Sequence, residues 1–163
     1  MHIHRDTTLF FDASVLVAGS HSSKGGSALL LEACRTGGFR AQITLAVLVE
    51  SLHALDAFPL KSQRRFDTWL AEIDWDFVPV PNAEVLGRYR QYIAQKDVHV
   101  LAAAVENRAE FLLTLDRRHI LAAAEAVKRA RLPTILLRPG DFIQEYYAKH
   151  VDYPSLPASR DGG

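Results

Sequence analysis

Cysteine is almost missing from this chain: Cys34 stands alone among 163 residues, so no intrachain disulfide can form. No cysteine and histidine spacing matches a zinc module either. The fold must therefore rest on packing, and a reducing cytoplasmic setting is expected. Long apolar runs are missing too. Nothing approaches the roughly 20 residues a membrane-spanning helix needs, and residues 1–6 lack the apolar stretch of a secretory signal, so no membrane partner is expected. Nor does one charge dominate, since 19 lysines and arginines face 19 aspartates and glutamates. That balance excludes the broad basic field of a non-specific nucleic-acid binder and leaves room only for local contacts.

What the chain does have is a 48% hydrophobic composition, enough at this length for one domain with a full core. Residues 1–150 read as that domain and 151–163 as a loosely held C-terminal tail, with Pro154 and Pro157 and no apolar period. Short apolar runs alternate with amphipathic stretches, the pattern of an α/β fold: an open parallel β-sheet of about five strands flanked by helices. Strands are expected at 9–12, 41–43, 77–80, 111–115 and 134–137. Phe66, Trp69, Leu70 and Ile73 fall on one helical stripe, and Leu86, Tyr89 and Ile93 on another. Thr44 and Asn82 are placed to cap helix starts, and Gly37-Gly38 to end a helix containing Leu29 and Cys34. Residues 19–27 are rich in phosphate-loop letters, but Lys24 precedes the glycine pair instead of following it, so this stretch reads as a flexible connection.

Four acids occupy telling positions. Asp12 follows Leu9-Phe10-Phe11, Glu50 follows Val47-Leu48-Val49, Asp97 opens Val98-His99-Val100-Leu101, and Asp116 follows Phe111-Leu112-Leu113-Thr114-Leu115. The carboxyl ends of strands in an open parallel sheet converge on one crevice, where such folds bind ligands. Two carboxylates about 5 Å apart repel by roughly 3 kcal/mol at an effective dielectric near 20, so a cation must offset their meeting. A hard ion with oxygen ligands and retained waters suits that role, hence Mg²⁺ or Mn²⁺ and phosphodiester hydrolysis. Singly, each acid also has a plain explanation: a helix cap for Asp97, turns for Asp12 and Asp116, a solvated face for Glu50. Glu50 is the informative one, because a glutamate aimed into apolar surroundings needs a partner. Arg117 and Arg118, at the crevice rim, suit phosphate contact. His99 is expected further round its helix, and His119 either at the substrate or capping the following helix.

Phe11-Asp12-Ala13-Ser14, Val49-Glu50, Lys96-Asp97-Val98-His99-Val100-Leu101-Ala102-Ala103-Ala104 and Leu113-Thr114-Leu115-Asp116-Arg117-Arg118-His119, with Leu137-Arg138-Pro139-Gly140-Asp141-Phe142-Ile143 at the end, resemble the PIN-domain family of metal-dependent ribonucleases. The resemblance runs over about residues 9–147. It implies a three-layer α/β/α fold in which Asp12, Glu50, Asp97 and Asp116 hold Mg²⁺ or Mn²⁺ and cut single-stranded RNA, with Ser14 and Thr114 as supporting hydroxyls. A helix cap for Ser14 and a plain strand position for Thr114 are the alternatives. A compact chain of this kind looks most like a VapC-type toxin, which implies a cognate antitoxin and homodimerisation. A housekeeping PIN nuclease in RNA processing would carry the same acids, while a non-catalytic interaction domain would not need them. A haloacid-dehalogenase phosphatase would need a second aspartate where Ser14 stands. A phosphoacceptor domain would need a lysine after the last strand, where this chain has Arg138.

Overall fold

Leu9, Phe10 and Phe11 have no exposed surface, and neither have Phe111, Leu112 and Leu113. Runs apolar at every position belong to strands covered on both faces, the setting of a parallel sheet. A computed structural model describes residues 1–158 and contains that sheet. Its strands are β1 (Thr8–Phe11), β2 (Arg40–Ile43), β3 (Trp75–Phe77), β4 (Phe111–Leu113) and β5 (Ile135–Leu137), all parallel, in the order β3-β2-β1-β4-β5. Around it lie α1 (Ala13–His21), α2 (Gly26–Arg35), α3 (Leu45–Leu55), α4 (Leu60–Glu72), α5 (Ala83–Tyr89), α6 (Val98–Glu106), α7 (Ala124–Arg129) and α8 (Pro139–Glu145).

Parallel neighbours need right-handed crossovers. The path β1 to β2 to β3 runs one way across the sheet, so α1 to α4 cover one face. The return to β4 and on to β5 runs the other way, so α5 to α7 cover the opposite face. Packing agrees, with α1 against α2, α3 and α4, and α5 against α6. Phe142 of α8 closes the core, its ring 4.8 Å from that of Phe111 and 5.6 Å from that of Phe39. Each phenyl buried this way contributes about 2 kcal/mol.

The caps behave as their chemistry dictates. Thr44 and Asn82 side chains accept the N–H groups of Val47 and Val85 at 3.1 and 3.0 Å. Gly37, at φ +83°, ends α2 with two reverse bonds: its own N–H goes to Cys34 O and that of Gly38 to Ala33 O, at 3.0 and 2.8 Å.

Three local expectations need correction. β3 begins at Trp75 rather than at 77: Val78 N–H still bonds Ile43 O at 3.0 Å, but Pro79 has no N–H with which to continue. Ile73 is buried, yet it sits past the end of α4 in extended backbone (φ −84°, ψ 134°), and Ile93 likewise lies beyond α5. Only Ser22, Ser23, Lys24 and Gly25 connect α1 to α2, so the stretch 19–27 is largely helical at both ends. Residues 151–158 bond back onto the domain, with Val151 N–H on Ile3 O at 3.0 Å and Tyr147 Oη donating to Pro157 O at 2.6 Å. The remainder of the expected tail lies outside the described residues.

Candidate metal centre

β1 continues into α1 on one face of the sheet, whereas β4 continues toward α7 on the other. Their carboxyl ends therefore flank the point where the strand order reverses, the place where open α/β sheets bind ligands. Asp12 is the first residue past β1, and Asp116 the third past β4.

Two hydroxyls join these strand ends. Asp12 Oδ2 accepts from Ser14 Oγ at 2.6 Å and from Thr114 Oγ1 at 2.9 Å. Ser14 Oγ accepts in turn from Leu115 N–H at 2.9 Å, and Thr114 Oγ1 from Asp116 N–H at 3.0 Å. With a backbone N–H aimed at each hydroxyl oxygen, each hydroxyl hydrogen is directed to the carboxylate. Asp12 is buried and held on one oxygen, and none of the described residues donates to the other.

Asp97 ends a 3₁₀ turn (Gln95–Asp97) and precedes α6. Its side chain makes no capping bond, and Oδ2 is buried without a hydrogen-bond partner among the described residues. Burial first, then the charges of Asp116 and Asp12, hold its carboxyl above the ordinary carboxylate range, against the pull of Lys96 and His119. Asp116 goes the other way. Burial pushes it up, but His119 outweighs that through a backbone N–H 3.0 Å from Oδ1, a ring Nδ1 3.3 Å from Oδ2, and the ring's charge. Asp97, Asp116 and His119 each bring one potential ligand atom to within 4.8 Å of the others. At that distance two carboxylates repel by about 3 kcal/mol at an effective dielectric near 20.

An unpartnered buried carboxylate oxygen beside a second carboxylate is what a bound cation would satisfy. While His119 stays on Asp116 it orients that ligand, and the free donors are carboxylate oxygens, which fit Mg²⁺ or Mn²⁺.

Glu50 is placed differently from the other three. α3 buries Val47, Ser51 and Leu55, one stripe of the helix, so the apolar letters beside Glu50 do not make a core around it. Its side chain is 52% exposed, and Oε1 lies 3.1 Å from His99 Nε2. The expectation of apolar surroundings for Glu50 is thus overturned, and His99, two residues further round the helix from Asp97, ties Glu50 to α6. The other ring nitrogen, His99 Nδ1, is buried without a partner among the described residues. Arg117 and Arg118 are exposed after Asp116, with Arg117 near enough to help lower Asp141. Arg138 is committed to Asp141 through bonds of 2.9 and 3.2 Å.

These elements define a three-layer α/β/α fold of the PIN type with a group of acids beyond its strand ends. Among solved structures, a chain in the crystal structure of VapBC2 from Rickettsia felis bound to a DNA fragment from their promoter is similar, with a TM-score of 0.55 and 17% sequence identity. The match covers 80% of this chain and 98% of that one, and at such identity it speaks for the fold. No family model and no curated protein matches the sequence.

Proposed function

We propose that this chain is a metal-dependent endoribonuclease acting on single-stranded RNA, the toxin of a toxin–antitoxin pair in the cytoplasm. The observation that carries the reading is the buried, unpartnered oxygen of Asp97 on a carboxylate whose ligand atom lies within 4.8 Å of one from Asp116. Asp12, Asp97 and Asp116 would hold Mg²⁺ or Mn²⁺, with Glu50 at the margin of the site and reached through His99. When bound, such an ion lowers the pKa of a coordinated water and stabilises charge on the phosphoryl oxygens. The protein's own part is positional. Ser14 and Thr114 fix the Asp12 carboxylate, His119 fixes that of Asp116, and Arg117 and Arg118 hold substrate phosphates on the exposed side.

A cognate antitoxin and a second copy of the chain belong to the same reading, supported by the likeness to VapBC2. Its physical basis is an apolar stripe on α3, where Leu45, Val49 and Leu52 remain 60%, 62% and 45% exposed. Incubation with a single-stranded RNA in Mg²⁺ or Mn²⁺ should give internal cleavage products, and excess EDTA should abolish them. Full activity in EDTA would remove the metal from the account, and no cleavage with either ion would remove the nuclease.

A further inference from the structure

A cleft of about 530 Å³ lies between the turn that opens α2 and the outer face of α4, away from the carboxylates. Its charged lining is Lys24 from the turn, Glu32 from α2, and Lys61, Arg64 and Arg65 from α4, while Leu29 and Trp69 contribute apolar surface. The one acid in this lining, Glu32, accepts from Arg35 Nε at 2.9 Å. Among the described residues no carboxylate lies within salt-bridge distance of Lys24, Lys61 or Arg64.

In a protein with equal numbers of acids and bases, four cations around one concavity form the kind of local basic site that the global balance left room for. Segments far apart in sequence build it, with Pro157 and Ala158 completing the wall, and Arg65 is held by its bond to Ser20 O at 2.9 Å. Here the phosphate-loop-like residues find a use that is not that of a P-loop. Gly25 starts α2 with no side-chain cap and no acid follows in the first turn, so this wall brings no negative charge next to Lys24.

We infer that this cleft binds phosphates of an RNA strand outside the cleavage point, an inference that rests on the ribonuclease reading. α1 links the two places: it begins next to Asp12 and ends at His21, just before the Lys24 turn. Nine residues of helix span about 13 Å, the reach of roughly four stacked nucleotides at 3.4 Å each. Cations at the rim take phosphates, and the apolar surface takes base faces, as in single-strand binders without sequence preference.

The test is fluorescence anisotropy with a labelled 12-nucleotide RNA and a trinucleotide, in EDTA so that no cleavage intervenes. Lys61→Gln combined with Arg64→Gln removes two contacts, which should flatten the salt slope by about 1.4 and weaken 12-mer binding about tenfold near 0.15 M salt. The trinucleotide, too short to reach from the cleft to the Asp12 end of α1, should bind more weakly throughout and should lose affinity with the same variants. Lys24→Gln alone, from the other wall, should act in the same direction with about half the slope change, and unaltered melting curves certify all variants as folded. Unchanged 12-mer affinity and slope in both sets would overturn the inference. So would an acidic peptide that competes for the cleft while the 12-mer does not, or a free mononucleotide that binds as tightly as the 12-mer. Failure here with intact metal-dependent cleavage leaves the ribonuclease reading standing, whereas cleft-dependent binding without any cleavage would overturn that reading alone.

Discussion

Asp97→Asn should raise the stability of the metal-free protein and lower that of the metal-loaded one. Asp97 and Asp116 ligand atoms lie within 4.8 Å of each other, about 3 kcal/mol of repulsion at an effective dielectric near 20. Lys96 and His119 oppose part of it, and solvent screens more, so a net relief of about 1 kcal/mol is the working figure. For a domain of this size that means a melting temperature higher by about 3 °C in EDTA. With Mn²⁺ at 100 times its dissociation constant, the wild type gains about 2.7 kcal/mol, or about 8 °C, and the variant much less. The two curves should therefore exchange order between EDTA and Mn²⁺ in a calorimetric or fluorescence melt.

The sign with pH follows from the same group. Burial, joined by the Asp116 and Asp12 charges, raises the Asp97 pKa in the fold. A raised group contributes stability below its unfolded pKa and loses it as pH climbs through its folded one. In EDTA the variant's advantage should thus grow from the carboxylate range toward neutrality. A variant that melts below wild type in EDTA, or that gains as much from Mn²⁺, refutes the reasoning.

Thr114→Val keeps the shape of a buried side chain but leaves Asp116 N–H without its acceptor and Asp12 without one donor; it should cost about 1–3 kcal/mol and weaken Mn²⁺ binding about 10- to 100-fold, both readable from melts across a metal titration. Arg131, exposed at φ +57°, holds a conformation that favours glycine. Arg131→Gly should gain about 0.5–1 kcal/mol, seen as a higher urea midpoint at constant slope, and a lower midpoint would contradict it. Cys34 is buried and burial pushes its thiol pKa up, so a thiol reagent should label it only once denaturant opens the fold; rapid labelling of the native protein would count against that packing.

Much of this was legible in the sequence because it depended on neighbours a few residues away. Leu9-Phe10-Phe11 and Phe111-Leu112-Leu113 announced buried strands, and Asp12 and Asp116 stand just past the strand ends because a strand's end fixes where the next side chains emerge. Pro79 and Pro81 were equally visible and should have moved β3 forward, since a residue without an N–H cannot extend a ladder. Asp116 and His119, three apart, had the spacing of a side-chain turn, which is what they form. The tie between Glu50 and His99 carried no such signal. It spans 49 positions and depends on how α3 and α6 lie across the sheet edge, a tertiary fact that periodicity along either helix does not encode.

Asp97 shows where sequence stops and geometry takes over. An aspartate before a helix has two uses, and position alone cannot separate them. A residue there for the helix turns its oxygen onto the first-turn amides, as Thr44 and Asn82 do in this same chain, 3.1 and 3.0 Å from Val47 N and Val85 N. Asp97 makes no such bond, leaves Oδ2 buried without a partner among the described residues, and has its pKa raised by burial and then by the neighbouring Asp116 charge. Helix capping accounts for none of those three facts. The buried oxygen and the neighbouring charge are unfavourable in the metal-free protein, and both would be relieved by a cation between the two carboxylates, so the cost of the arrangement is itself the argument for the site.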